Sequence, residues 1–166
     1  MEIVKTIIPV FLNAISIRGM IILIILMLPN ILFAVLPVKG VPHKTEDAGA
    51  FLNFLEQSMR IAYFAVLIFG TNNNKINSQK LVMIGMIVCI VIYYLLWLRY
   101  FINGRENILL FKKILGIPVP MAVFPVLFLI LAGFWLNSIW LIVIGILFGI
   151  GHVLNSYCIY CQLSQC

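Results

Sequence analysis

Long apolar runs alternate with short polar segments along the whole chain. A transmembrane helix needs about 20 consecutive apolar residues, because it rises about 1.5 Å per residue through a hydrocarbon core about 30 Å thick. Five runs reach or approach this length, at residues 19–36, 51–70, 81–101, 118–136 and 139–160. The pattern therefore predicts an all-α fold: a polytopic membrane helix bundle of about five transmembrane helices, formed as a single domain over residues 1–166.

Two further segments are amphipathic rather than uniformly apolar. A continuous helix from Glu2 to Leu36 would be about 50 Å long, which exceeds the bilayer core, so residues 1–18 must bend or lie on the surface. Polar and apolar residues fall on opposite sides of this segment, which predicts an N-terminal interfacial amphipathic helix. Residues 103–116 mix basic and apolar residues and predict a second, short surface helix.

Composition agrees with lipid as the main solvent. Of the 166 residues, 64% are hydrophobic and 10% are charged, and the mean hydropathy is +1.16. A soluble domain carries about 25% charged residues, because its surface must face water. The net charge of +6 comes from basic residues scattered between the apolar runs, with no basic recognition element, so nucleic acid is not an expected partner.

The distribution of basic residues also predicts an orientation. The end of the third run and the segment after it contain Arg99, Arg105, Lys112 and Lys113, whereas the turn between the fourth and fifth runs has no charge. Basic loops remain cytoplasmic in most membrane proteins. We therefore expect an integral protein of the cell membrane whose C-terminus is cytoplasmic.

The second run carries polar residues that a lipid-facing helix would not tolerate. Asn53, Glu56, Arg60 and Tyr63 fall within an arc of about 80° on one helical face, at about 100° per residue. Ionisable side chains within a membrane pair with one another or face the interior of a bundle. Glu56 and Arg60 are four residues apart, the spacing at which an acid and a base pair along a helix, so this face is expected to point inward.

Five crossings would bring several polar residues to one depth. The ends of the first, third and fifth runs and the starts of the second and fourth would share a leaflet. The sequence therefore predicts one ligand-binding pocket, opening to one side and not a continuous pore. Its expected residues are Glu56, Arg60, Arg99, His152, Asn30 and Asn53.

Proline and aromatic residues suggest further local features. Pro29 lacks an N–H and should free the carbonyl of Ile25 and kink the first helix. Near the end of the third run, Arg99 either reaches the lipid head groups or points into the bundle. The tyrosines and tryptophan around it are interpreted as an interfacial aromatic belt, at Tyr93, Tyr94, Trp97 and Tyr100.

The fifth run contains a glycine pair and a cysteine pair. Gly145 and Gly149 form a G-x-x-x-G pattern, which predicts close packing within the bundle or, as an alternative, a helix–helix partner such as a second copy. Cys158 and Cys161 form a C-x-x-C pair, but the chain lacks the second pair that a thiol relay needs and the further ligands that zinc needs. No metal or cofactor is therefore expected.

Three functions remain open at this stage. The leading hypothesis is a small membrane component that binds or transports an anionic small molecule or a lipid head group in its polar pocket. An intramembrane enzyme is the alternative, with His152 or Glu56 as general base; it requires the two side chains to lie within about one water of each other and of a pocket. The third is a structural, immunity or accessory subunit that acts through helix packing.

Overall fold

The computed structural model describes residues 15–36, 38–39, 48–72, 74–77, 79–114 and 116–164, and 78% of these residues are helical with no strand among them. The N-terminal interfacial helix predicted from residues 1–18 lies mostly outside the described residues. The helices are α1 Ile17–Val35, α2 Ala50–Phe69, α3 Lys80–Ile102, α4 Ile108–Phe111, α5 Pro120–Trp135 and α6 Ile139–Ser164. Each of the five long apolar runs thus forms a helix.

Three described helices are long and apolar enough to cross a membrane, namely α1, α3 and α6. Their exposed side chains are mainly large and apolar, as at Leu81, which is 81% exposed, and Trp140, which is 71% exposed. Such surfaces suit lipid and are unusual on a soluble protein. The three helices suggest a membrane protein, whereas the count of about five crossings is not confirmed, because α2 carries charged residues and α5 has only 16 residues.

The five long helices are neighbours in the order α1, α2, α6, α5 and α3. Helix α6 packs against both α2 and α5, α2 packs against α1, and α5 packs against α3. Loop contacts show that successive helices run in opposite directions. At one end the Asn77 amide donates to the Trp135 carbonyl at 2.8 Å, and at the other the Lys39 amide donates to the Arg105 carbonyl at 3.2 Å.

Helix α1 begins in a buried hydrogen-bond group that joins it to the end of α2. The Ser16 hydroxyl accepts from the Gly19 amide at 3.1 Å, which caps the helix, and it also accepts from the Thr71 hydroxyl at 2.8 Å. The Ser16 amide in turn donates to the Ile68 carbonyl at 2.7 Å. These bonds satisfy polar groups that would otherwise be unpaired where the two helices meet.

The carbonyl that Pro29 frees in the middle of α1 is satisfied by a tyrosine from α3. As expected, Pro29 cannot bond to Ile25, and the Tyr94 hydroxyl donates to the Ile25 carbonyl instead, at 2.9 Å. The next carbonyl, that of Leu26, accepts a hydrogen bond from the side-chain Nδ2 of Asn30 at 3.1 Å. A proline in α1 therefore creates a polar junction between α1 and α3.

Glycines allow α6 to occupy the centre of the helix arrangement. A Cβ at Gly149 would lie 2.6 Å from Val126, and a Cβ at Gly145 would lie 3.2 Å from Ile130, so both glycines face α5 of the same chain. The expectation of close packing within the bundle is therefore met at these two positions. The alternative of a helix–helix partner through Gly145 and Gly149 stays a prediction.

The aromatic residues near the end of α3 do not form an interfacial belt, and that interpretation is wrong for three of the four. Tyr93, Trp97 and Tyr100 are only 3%, 7% and 0% exposed. They recur every three or four residues and so share one helical face, which packs on Phe33 of α1 and Met121 of α5. Periodicity thus places these rings in the bundle interior, whereas Tyr94 reaches α1 with its hydroxyl.

The predicted surface helix at residues 103–116 is reduced to the four residues of α4. Gly104 and Arg105 both adopt positive φ, 84° and 61°, which ends α3 and breaks the helical path. After α4 a tight turn around Gly116, with φ 85°, pairs Ile114 with Ile117. The segment consequently folds back over the end of the bundle.

The crossing of α1 and α2 at Gly19 gives a test of this packing. A Cβ at Gly19 would lie 1.8 Å from the Leu67 carbonyl oxygen, and a backbone atom cannot rotate away. We expect Gly19→Ala to lower the free energy of unfolding by about 1–3 kcal/mol, the usual cost of overpacking, measured by thermal unfolding in detergent.

Gly85→Ala is the matched control, because a Cβ there would meet only the end of the Leu131 side chain, with Cδ1 at 3.1 Å, and this side chain can rotate away. Its expected change is smaller than about 1 kcal/mol, since alanine also favours the helix. Equal losses for the two variants would contradict the close crossing at Gly19.

Candidate intramembrane binding site

The site is built around the buried carboxylate of Glu56 on α2, which is 6% exposed. The Arg60 guanidinium, one turn later on α2, donates to its Oε1 oxygen. Two residues of α6 also donate: His152 Nδ1 to Oε1 at 3.0 Å and Asn155 Nδ2 to Oε2 at 2.7 Å. Three side chains therefore satisfy one charge, which is the condition for keeping a carboxylate in an apolar interior.

A glycine on α6 makes this arrangement possible. A Cβ at Gly151 would lie 3.0 Å from the backbone nitrogen of Glu56, so the two helix backbones are nearly in contact at this point. The short side chain of Asn155, one turn later, can then reach Glu56 directly. The Asn155 Oδ1 oxygen also accepts from the Ala48 amide at 3.2 Å, which joins the start of α2 to the same turn of α6.

Aromatic contacts fix the orientation of the two basic groups. The His152 ring stacks on the Phe148 ring at a centroid distance of 5.0 Å and an angle of 14°. The Arg60 guanidinium carbon lies 5.8 Å from the centre of the same Phe148 ring, a cation–π distance. Tyr63 packs edge-on against this ring at 5.1 Å. Phe148 therefore supports Arg60 and His152 together.

A cavity of about 450 Å³ lies beside this cluster and is lined by residues of all five long helices and of α4. Arg60 and His152 line it, whereas Glu56 lies behind them. Asn30 and Ser156 add polar groups, and the other walls are largely aromatic and aliphatic, including Tyr63, Tyr93, Trp97, Phe111, Met121, Leu129 and Phe148. Such a volume is typical of small-molecule sites.

The cavity lies towards one end of the bundle. Four residues at the opposite end are 0% exposed and fill the space between the helices: Leu67, Ala132, Leu136 and Leu141. At the cavity end, Leu110 and Phe111 of α4 contribute to the wall. Among the described residues this gives a largely apolar cavity with a few polar groups over one half of the bundle and a packed apolar core over the other, which is unlike a continuous aqueous channel.

The structure brings together three of the six predicted site residues directly and a fourth nearby. Glu56, Arg60 and His152 form the cluster, and Asn30 lines the same cavity while donating to the Tyr93 hydroxyl at 3.0 Å. Asn53 lies one turn before Glu56 and is not among the residues that line the cavity.

Arg99, another predicted site residue, does not line the cavity either. It is partly buried in the last turns of α3, where Leu96, Trp97 and Tyr100 are buried. The two interpretations of Arg99, towards the head groups or into the bundle, both stay predictions.

Asn155, Ser156, Tyr93 and Trp97 were not selected as site residues from the sequence. Asn155 is three residues after His152 and Ser156 is four residues after it, so a helical spacing was available as a signal. Trp97 likewise follows Tyr93 by one turn. For Tyr93 and Trp97, the usual location of aromatic residues at the membrane interface favoured the other interpretation.

The described residues contain no cluster of His, Cys, Asp and Glu that could hold a metal ion. Cys158 and Cys161 lie in the last turns of α6 as free thiols. No family model matches the chain, and no curated protein and no solved structure is detectably similar to it. The site therefore has to be interpreted from its own geometry.

The arrangement predicts that replacing Glu56 lowers the free energy of unfolding more than replacing Arg60 does. Glu56→Leu leaves Arg60, His152 and Asn155 without their acceptor, so we expect a loss of about 3–5 kcal/mol in the free energy of unfolding. Arg60→Met should cost about 1 kcal/mol or less, because Glu56 keeps two donors and the Arg60 side chain is 38% exposed.

Thermal unfolding of both variants in the same detergent measures this difference. Equal costs for the two variants, or a larger cost for Arg60→Met, would contradict the central position of Glu56.

Proposed function

We propose that this protein binds a small anionic, amphipathic molecule in the cavity beside Arg60 and His152, and so acts as a membrane binding or transport component. The observation that carries the proposal is the position of a buried carboxylate behind two basic side chains that face a cavity. A free small molecule and a lipid head group share the chemistry required, namely a negative charge next to apolar surface.

The basic groups are arranged to meet an anion. Arginine has five N–H donors in a planar fork, and the bond to Glu56 accounts for only one nitrogen of Arg60. The Arg60 side chain is 38% exposed while that of Glu56 is 8% exposed, so donors and not acceptors dominate the cavity side of the pair. Phosphate and carboxylate groups match such a fork.

The remaining walls suit an apolar portion of the same molecule. Tyr63, Trp97, Phe148 and Leu129 surround the polar patch, and a few polar groups in a largely apolar pocket are the usual design of a small-molecule site. A purely hydrophilic anion would gain little from these surfaces. An amphipathic ligand uses both parts of the wall.

The membrane topology belongs to the same proposal. We infer that α2 and α5 cross the bilayer beside α1, α3 and α6, since each packs along a helix that is long enough to span it. The cavity end contains Lys39, Arg105, Lys112 and Lys113, in addition to Arg99. The positive-inside tendency then places this end and the C-terminus in the cytoplasm, in the cell membrane.

Binding of alkyl phosphates to the purified full-length protein tests the proposal. We expect hexadecyl phosphate to bind and the cationic analogue hexadecyltrimethylammonium not to bind, measured by native mass spectrometry from a neutral detergent. Arg60→Gln should weaken the binding of hexadecyl phosphate at least tenfold, because charge-assisted hydrogen bonds to an anion contribute about 1.5–3 kcal/mol.

Arg99→Gln is the matched control, since it removes the same charge from a side chain outside the cavity and should leave affinity unchanged. Equal weakening by both variants would show a general charge effect and not a site. No binding by the wild-type protein would leave the polar cluster with the role of holding α2 against α6.

A second candidate is an intramembrane hydrolase, favoured by the distance of 3.0 Å between His152 Nδ1 and Glu56 Oε1 beside a cavity. Because a carboxylate only accepts, Nδ1 carries the proton, and Nε2 of the neutral ring can act as a base. Ser156, one turn later, lines the same cavity.

This candidate predicts that the wild-type protein hydrolyses a single-chain ester amphiphile and that His152→Gln binds it without turnover, as followed by mass spectrometry of the products. An intact ester after prolonged incubation with the wild-type protein would exclude the hydrolase and leave binding as the function.

A further inference from the structure

A second space opens between α1 and α3, with a volume of about 620 Å³. Its walls are almost entirely apolar and include Leu28, Leu32, Val91, Leu95 and Leu98. These side chains are 44% to 57% exposed, so the groove opens at the outer surface of the bundle, where a membrane protein meets lipid. We refer to it as the α1–α3 groove.

The groove exists because α1 and α3 are the neighbours whose backbones do not pack closely, in contrast to the other adjacent pairs of long helices that the structure describes. The two helices are joined instead by long side chains. Tyr94 donates to the Ile25 carbonyl at 2.9 Å, and the Tyr93 hydroxyl accepts from Asn30 at 3.0 Å. Because these hydrogen bonds are made through long side chains, they link the two helices without bringing their backbones together.

The α1–α3 groove and the cavity share a wall. Trp97 lines both spaces, and it is 7% exposed. Trp97 thus separates the cavity from the groove.

We propose that the α1–α3 groove is a lateral opening that holds the hydrocarbon chain of the ligand, while the anionic head group lies in the cavity against Arg60. The ligand class is then a single-chain anionic lipid that enters from the bilayer. This inference rests on the proposed function, because it requires the head group to occupy the cavity.

The position of the groove supports a chain in this place. One leaflet of hydrocarbon is about 15 Å deep, half of the core thickness, so an extended lipid chain needs apolar surface beyond the head-group site. The groove lies on the other side of Trp97 from the cavity and opens at the apolar outer surface, so a chain that passes Trp97 would enter it. A chain leaving by this route would stay in contact with apolar side chains along its whole length.

Photo-crosslinking locates the chain directly. A hexadecyl phosphate probe that carries a diazirine near the chain terminus is bound to the full-length protein in neutral lipid vesicles and irradiated. We expect labelled peptides from α1 and α3 that contain groove residues, and we expect an excess of unlabelled hexadecyl phosphate to remove this labelling. Labelling spread evenly over the exposed apolar faces of all helices would overturn the proposal.

A matched pair of substitutions tests the groove without relying on labelling. Leu28→Trp should fill the groove and weaken the binding of hexadecyl phosphate at least tenfold, whereas binding of short butyl phosphate should change less than twofold. Leu127→Trp is the control, because Leu127 is 42% exposed, close to the 44% of Leu28, and lies on α5 away from both spaces. Equal effects of the two tryptophans would contradict the groove.

The two proposals fail in distinguishable ways. If Arg60→Gln weakens binding but Leu28→Trp does not, the cavity binds the anion and the lateral opening is wrong. If neither substitution changes the binding of hexadecyl phosphate, the proposed function is wrong as well.

Discussion

The stability of the bundle depends on one constraint, that the charge of Glu56 must be satisfied inside an apolar structure. The Glu56 side chain is only 6% exposed, so most of its partners have to come from the protein. Arg60 comes from the same helix, and His152 and Asn155 come from α6. The need for these partners determines which faces of α2 and α6 meet and how the two helices are aligned along their axes. Close approach at Gly151 then makes the contact possible.

The polar groups of the cavity are likewise confined to one part of the molecule. Pro29 leaves the Ile25 carbonyl without its helical partner, and Tyr94 from α3 provides a hydroxyl in its place, on the side of the α1–α3 groove. The next residue, Asn30, donates to the Tyr93 hydroxyl, and this pair lines the cavity together with Arg60 and His152. The opposite end is closed by Leu67, Leu136 and Leu141. Binding of an amphiphile, as proposed, would use the space that these obligatory hydrogen bonds create.

Much of the fold follows from local patterns, while the contents of the site depend on contacts between helices. Apolar runs about 20 residues long gave the positions of the five long helices, and the spacing of Glu56 and Arg60 gave their ion pair. Helical spacing alone could not distinguish Trp97 facing the bundle from Trp97 at the interface. That choice depends on how α3 rotates against α5, which is a property of packing and not of one helix.

Solid-state NMR of the protein in lipid bilayers tests the central contact most directly. With ¹⁵N-histidine and ¹³C-glutamate labels, the Nδ1 nitrogen of His152 and the carboxyl carbon of Glu56 should give a through-space correlation, because Nδ1 lies 3.0 Å from the carboxylate oxygen. The correlation should disappear in His152→Gln. A Glu56 carboxyl carbon that correlates with water or lipid protons, and not with His152, would contradict the buried cluster and the cavity built upon it.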